Sequence, residues 1–322
     1  MKPVDPSLIT TRVAGVRITR IGVSLGAEIS DIDLTEPLSQ AQFAAVDAAL
    51  AEHELLIFRN QAISSEDLMR FGRLFGELTV HPFAPAEGLH PELIKFRNDE
   101  HSAPFGTDVW HSDETFRVEP PMATILCAKV VPAVGGDTAF ASMTAAFDGL
   151  SDRMQRFISG LEAIHDIKPF KVLFGDSPEA REQLVEYEKR FPPCVHPVVR
   201  VHPVTGRRAL FVNPNFTIRI KDMDERESRS LLDTLFHQTL VPEYQYRLRW
   251  APDTIAVWDN RSTQHYALHD YYPQKRYMER VTIRGGPVVG VEATDEASVK
   301  KAKFDAPPGV DLYGGHKPDP TH

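Results

Sequence analysis

The segment Trp110-His111-Ser112-Asp113-Glu114-Thr115-Phe116 sets an imidazole and a carboxylate two residues apart. On an extended strand such residues project from the same face, so His111 and Asp113 can reach a single metal ion. Two histidines and one carboxylate on one face of a metal, with the remaining positions open, suit non-haem iron(II) and O2 chemistry. Zinc sites more often enclose the metal in His and Cys sets or leave one position open. A His-x-Asp tripeptide is also common on protein surfaces, so the assignment needs a third ligand and further groups.

The chain has 13 histidines, and spacing alone does not select among them. His265 directly follows the strongly apolar run ending at Trp258, whereas His269 lies in a polar loop and His237 in a helical segment. Past His265, the run Tyr277 to Ile283 has strand character. Extending it backward puts Arg276, Met278 and Arg280 on one face, with the two guanidinium groups about 13 Å apart along the backbone. Planar guanidinium forks bind carboxylate or sulfonate in a bidentate manner, so this pair can hold two separate anions.

The elements that must position these groups are readable in outline. Val16 to Ile32 holds short β-prone runs broken by glycines. Ser39, three residues before Gln42, forms a capping-box signature for a helix with Phe43, Val46 and Leu50 on one face. Glu54–Arg59 reads as a buried strand. Ser64 or Ser65 caps a second helix whose apolar face is Leu68, Phe71, Leu74 and Phe75. Strands are expected at Ala123–Val130, His196–His202, Ala209–Val212, Thr254–Trp258 and Arg280–Arg284, with helical segments near Ser142–Ser159 and Asp224–Leu240. Short strands with long excursions, and no regular strand–helix alternation, point to an antiparallel barrel or jelly roll.

Composition narrows the partners. A net charge of −9 excludes a general nucleic-acid binder, which needs a clustered basic surface. The N-terminal residues lack the apolar core of a secretory signal, and no apolar run reaches the ~20 residues of a membrane span. Cys127 and Cys194 make no metal spacing, and Cys127 reads as a buried, reduced thiol. A cytoplasmic location is expected.

From about Val16 to Arg284 the chain resembles the taurine dioxygenase / 2,4-dichlorophenoxyacetate dioxygenase family. The likeness rests on Trp110–Phe116, Gly135-Gly136-Asp137-Thr138, His196-Pro197-Val198-Val199-Arg200, Phe211-Val212-Asn213 and the stretch from Trp258-Asp259-Asn260-Arg261 to Arg284. It implies an α+β, mainly β fold: a double-stranded β-helix (jelly-roll) core with flanking helices. Residues 1–290 would form a single dioxygenase domain, and 291–322 a surface or interface tail. The resemblance implies His111, Asp113 and His265 as iron(II) ligands, and Arg276 and Thr138 as the partners of 2-oxoglutarate. His81 and Arg280 would receive the acidic head of the primary substrate, with Thr107 and Phe216 lining its pocket and Phe83 and Phe170 as further wall candidates. A homodimer or homotetramer is the expected assembly.

The implied reaction couples oxidative decarboxylation of 2-oxoglutarate by O2 to hydroxylation of a small organic anion. Where the carbon attacked bears a sulfonate, sulfate ester or aryloxy group, the product collapses to an aldehyde or keto acid and releases that group. A jelly roll that binds an organic anion without catalysis would not need three metal ligands, and a zinc hydrolase would not need Thr138 and Arg276. The chain departs from the taurine enzyme at three positions: Ala84 replaces a Tyr, Thr107 an Asn, and Glu114 an apolar residue. The first two changes enlarge the far end of the pocket and remove partners for an ammonium group. A strand at Glu114 would turn its side chain away from the metal face. A bulkier anion than taurine is therefore expected.

Overall fold

The computed structural model describes residues 9–82, 90–102, 106–167 and 177–291, so most of the expected 291–322 tail lies outside the described residues. The first half contains β1 (Thr10–Val13), β2 (Val16–Arg20), β3 (Ala27–Ser30), α1 (Gln40–His53), β4 (Leu55–Phe58), α2 (Ser65–Phe75), β5 (Ile94–Asn98), β6 (Ala123–Val130), β7 (Thr138–Ser142), α3 (Met143–Asp148) and α4 (Asp152–Ile158). The second half contains β8 (Glu162–His165), α5 (Pro178–Arg190), β9 (Cys194–Pro197), β10 (Val199–Val201), β11 (Arg208–Leu210), β12 (Thr217–Ile220), α6 (Glu225–Phe236), β13 (Gln245–Leu248), β14 (Ile255–Asp259), β15 (Thr263–Ala267) and β16 (Arg276–Ile283).

An eight-stranded sheet in the order β1-β2-β3-β4-β14-β6-β16-β5 forms the backbone of the molecule. Its pairs are antiparallel except β3 with β4. Alternation along the strands gives it two buried faces. Leu56, Phe58, Ile125, Cys127, Ile255, Val257, Val281 and Ile283 pack against Val46 and Leu50 of α1 and Leu68, Met69 and Phe71 of α2. The opposite set, Leu55, Ile57, Leu126, Ala128, Ala256, Trp258 and Met278, meets Phe140 of β7 and Leu248 of β13. Burial on both sides is why β4, β6 and β14 read as continuous apolar runs rather than alternating ones. The facing layer is a three-stranded sheet, β13-β7-β15, which carries His265. A further core joins α3 and α6 to β8, β10, β11 and β12.

The helix-capping signals hold in detail. Ser39 and Gln42 complete the capping box of α1, and Ser64, rather than Ser65, caps α2 with Asp67 reciprocating. Leu74 departs from expectation: at 40% exposure it sits off the α2 face that buries Leu68 and Phe71. The expected strand His196–His202 is two strands in different sheets, β9 and β10. Pro197, which has no N–H to offer a ladder, ends the first. The helical segment after Ser142 is likewise two helices, the second capped by Ser151.

Candidate metal and anion site

An antiparallel bridge creates the site. His111 N–H donates to the His265 carbonyl at 3.0 Å and His265 N–H donates to the His111 carbonyl at 2.8 Å. Directly opposed residues project from the same face, and the two imidazole centroids lie 4.2 Å apart. Beyond His111 the expected strand does not continue: residues 113–116 form a turn, with Glu114 in the left-handed region at φ +51°. Asp113 nevertheless returns to the His111 face because Asn260 clamps its backbone. Asn260 Oδ1 accepts from Asp113 N–H at 2.6 Å, and its Nδ2 donates to the Asp113 carbonyl at 2.9 Å.

The Asp113 carboxylate has two distinct oxygens. Oδ2 accepts from the Thr124 hydroxyl at 2.7 Å. Oδ1 faces His111 Nε2 at 3.9 Å, His265 Nε2 at 4.0 Å and Arg280 Nη1 at 3.3 Å. His111 Nδ1–H donates to the Val109 carbonyl at 2.7 Å, so its Nε2 carries a lone pair directed toward Asp113. His265 is held by packing: its ring lies 4.8 Å from Trp258 and 6.2 Å from Phe140. Burial keeps both imidazoles neutral, lowering His265 to about 3 with help from His111. Burial alone would raise the Asp113 carboxyl. The Arg280 charge above all, with the neighbouring imidazoles and the Thr124 hydrogen bond, outweighs it and holds the group below the usual carboxylate range. Two neutral imidazoles and an ionised carboxylate, with ligand atoms all within 4.8 Å of one another, are the donor set for a divalent cation.

The competing histidines are engaged elsewhere. His269 Nε2 lies 3.0 Å from the Thr107 hydroxyl, and His237 Nδ1–H donates to the Asp233 carbonyl at 2.6 Å. Thr107 also accepts from Ala267 N–H through its backbone carbonyl, at 3.0 Å.

Arg276 and Arg280 are both buried, on the face of β16 that buries Met278 between the sheets. Arg276 lies over the Tyr271 ring at 5.6 Å, and Tyr271 donates its hydroxyl to Asn98, the strand partner of Arg276, at 3.0 Å. Among the described residues the Arg276 Nε has no hydrogen-bond partner, nor do Nε and Nη2 of Arg280, whose guanidinium lies over Phe96 at 5.4 Å. Buried guanidinium N–H groups of this kind are suited to anions. Thr138 accepts from Trp250 Nε1 at 3.0 Å and keeps its own hydroxyl proton to donate. The turn before it requires glycine: at Gly135, φ +81°, a Cβ would come within 2.8 Å of Asp270.

His81 Nε2 lies 3.8 Å from Glu114 Oε1. Burial, reinforced by Arg280, lowers the His81 imidazole to about 3. Phe216 packs edge-on at 6.4 Å from His111. Phe83, Ala84 and Phe170 lie outside the described residues. Thr124 and Asn260 were not singled out in the sequence. Thr124 is the only hydroxyl in the apolar run Ala123–Val130, and Asn260 stands within the motif that follows Trp258.

The fold thus places a cluster that could hold a metal ion beside two buried guanidinium groups, and comparison supplies the family. Residues 17–282 match the model of the taurine catabolism dioxygenase TauD, TfdA family, and the chain belongs to it. It is 35% identical to an alpha-ketoglutarate-dependent sulfate ester dioxygenase of Pseudomonas putida, over 86% of this chain and 92% of that one. It is 30% identical to the 2,4-dichlorophenoxyacetate dioxygenase of Cupriavidus pinatubonensis, over 82% and 96%. The crystal structure of a taurine dioxygenase from Burkholderia xenovorans aligns with a TM-score of 0.72 and 31% identity, covering 86% of this chain and 93% of that one. The chain is accordingly a 2-oxoglutarate-dependent dioxygenase whose co-reactants are iron(II), 2-oxoglutarate and O2. This reading stands over a silent anion binder or a zinc hydrolase. Among the described residues no helix is long and apolar enough to cross a membrane.

Proposed function

We propose that His111, Asp113 and His265 hold iron(II), that Arg276 and Thr138 hold the far carboxylate of 2-oxoglutarate, and that His81 and Arg280 receive the acidic head of a small organic anion. The substrate class is a sulfonate, alkyl sulfate ester or aryloxyalkanoate, as the names of the relatives suggest. The facing sheets are read as the walls of a double-stranded β-helix, working in the cytoplasm.

The observation that carries this reading is the meeting of lone pairs around Asp113 Oδ1. His111 Nε2 and Asp113 Oδ1 are both acceptors, and a cation between them satisfies both. When bound, iron(II) supplies the activation of O2 that couples decarboxylation of 2-oxoglutarate to oxidation of a C–H bond. The chain's own part is positional. Thr124 and Asn260 fix Asp113, Tyr271 and Asn98 hold Arg276 in place, and Phe216 shields the His111 side.

The test is anaerobic addition of iron(II) and 2-oxoglutarate to the purified protein, followed by a panel of sulfonates, alkyl sulfates and aryloxyalkanoates scored by succinate formation. A metal-to-2-oxoglutarate absorption band together with substrate-dependent succinate supports the reading. Failure of iron(II) to produce the band, or succinate independent of every acid tested, rejects it.

A further inference from the structure

The positive φ at Glu114 redirects a side chain that a continuous strand would have turned away. The carboxylate is 2% exposed and lies beside His81. Its two oxygens are used unequally. Oε2 accepts from Arg117 Nε, while Oε1 is buried without a hydrogen bond among the described residues, 3.8 Å from His81 Nε2. Arg117 is itself fixed: its Nη2 donates to the Val80 carbonyl at 3.2 Å, and its guanidinium lies over Phe191 at 5.3 Å. A rigid strut thus presents one unused acceptor next to the residue assigned to the substrate's acidic head. A carboxylate placed there would repel a plain anion. It would attract an anion that brings its own donor.

We propose that Glu114 Oε1 is a subsite for a hydrogen-bond donor on the primary substrate, so that the enzyme selects acids carrying an ammonium or hydroxyl group near the acidic head. The inference rests on the assignment of His81 and Arg280 to that head. One acid oxygen accepting from His81 Nε2 and one substrate donor at Glu114 Oε1, each at a hydrogen-bond length of about 2.9 Å, meet protein atoms that are 3.8 Å apart. That separation suits groups on adjacent carbons. Plain alkyl sulfonates and aryloxyalkanoates lack such a donor and would leave Oε1 unpaired. Sites built around a buried hydrogen bond reject analogues lacking the partner group far more strongly than apolar pockets reject a methylene.

The test uses full-length enzyme with iron(II) and 2-oxoglutarate and three matched series: alkane-1-sulfonates, their 2-hydroxy forms and their 2-amino forms. Succinate formation gives kcat/KM, and anaerobic calorimetry gives substrate affinity. The wild type should favour the donor-bearing member of each pair by about tenfold or more, in both readouts. Glu114→Ala should bring that ratio to near unity while still turning over the plain sulfonate. Glu114→Gln, close in shape and still an acceptor, should keep the hydroxyl preference and lose the ammonium preference. A wild-type preference for the plain acid overturns the proposal. So does a Glu114→Ala or Glu114→Gln variant that weakens all members equally, since that is the mark of a strut alone. Succinate from none of the series would reject the substrate class itself, and this subsite with it.

Discussion

Two buried aspartates, Asp113 and Asp259, are surrounded by the same residue types and behave oppositely. Asp259 accepts from His202 Nε2–H at 2.9 Å, and from Arg261 through Nε at 2.8 Å and Nη2 at 2.6 Å. The tautomer of His202 is set by its Nδ1, which accepts from Thr205 N–H at 3.1 Å. Every lone pair that faces a neighbour there meets a proton. At Asp113 the nearby His111 presents a lone pair instead, and the imidazole nitrogens stay about 4 Å from Oδ1. Histidine, aspartate and arginine in a buried cluster therefore do not by themselves indicate a metal. The direction of the imidazole proton separates the two, set at His111 by the Val109 carbonyl and at His202 by the Thr205 N–H.

The strongest way to break this contrast is mutation of the proposed ligands. His111→Ala, Asp113→Ala and His265→Ala should each reduce turnover to background and abolish iron retention, with little loss of fold, as read by succinate assay and metal content. Near-normal turnover of His265→Ala alongside inactive His269→Ala would show that the third ligand is misassigned. Asp259→Ala should do the reverse. It should lose about 3–5 kcal/mol of stability in chemical denaturation, because Arg261 and His202 lose their partner in a buried pair. The folded fraction should still bind iron, and a variant as stable as wild type would undercut the structural half of the contrast.

The two arginines come next in size. Arg276→Ala should raise the 2-oxoglutarate requirement and Arg280→Ala the primary-substrate requirement, each by about 2–5 kcal/mol of lost binding. Titration of each variant with each compound reads this out, and equal effects on both ligands would reject the division. Thr124→Val, which removes only the hydroxyl from Oδ2, should weaken iron affinity by about 10–100-fold. Competition with a chelator measures it.

The smallest effect separates the two regions by pH. Burial lifts the Glu54 carboxyl to about 7, although Thr144 and Arg207 pull it down. Glu54 adjoins the Asp259 cluster, its carbonyl accepting from Asp259 N–H at 2.8 Å. Its folded state holds a proton more tightly than the unfolded chain. The stability it contributes is therefore full below about pH 4.5 and is lost as pH rises through about 7. Denaturation midpoints of Glu54→Gln should be flatter than wild type across that window. Parallel curves would show that the carboxyl does not titrate there.

Much of this architecture was legible because the signals were local. Capping boxes announced α1 and α2, and continuous apolar runs announced β4, β6 and β14. His265 could be favoured because it follows the run that becomes β14. The positions of Asn260 and Thr124 depended on which distant segments meet Asp113, and no periodicity carries that information. The direction of Glu114 is illegible for a different reason. A non-glycine residue with positive φ leaves no trace in residue type, so the strand rule was applied through a turn. The split of β9 from β10 was visible in Pro197 but outweighed by the β-branched residues around it.

The bridge between His111 and His265 has a consequence for biosynthesis. The two residues lie in distant halves of the chain, and so do Asp113 and the Asn260 that clamps it. A ribosome-bound nascent chain that has exposed the first ligand pair still lacks both the second imidazole and the clamp. It therefore cannot assemble the three-residue cluster.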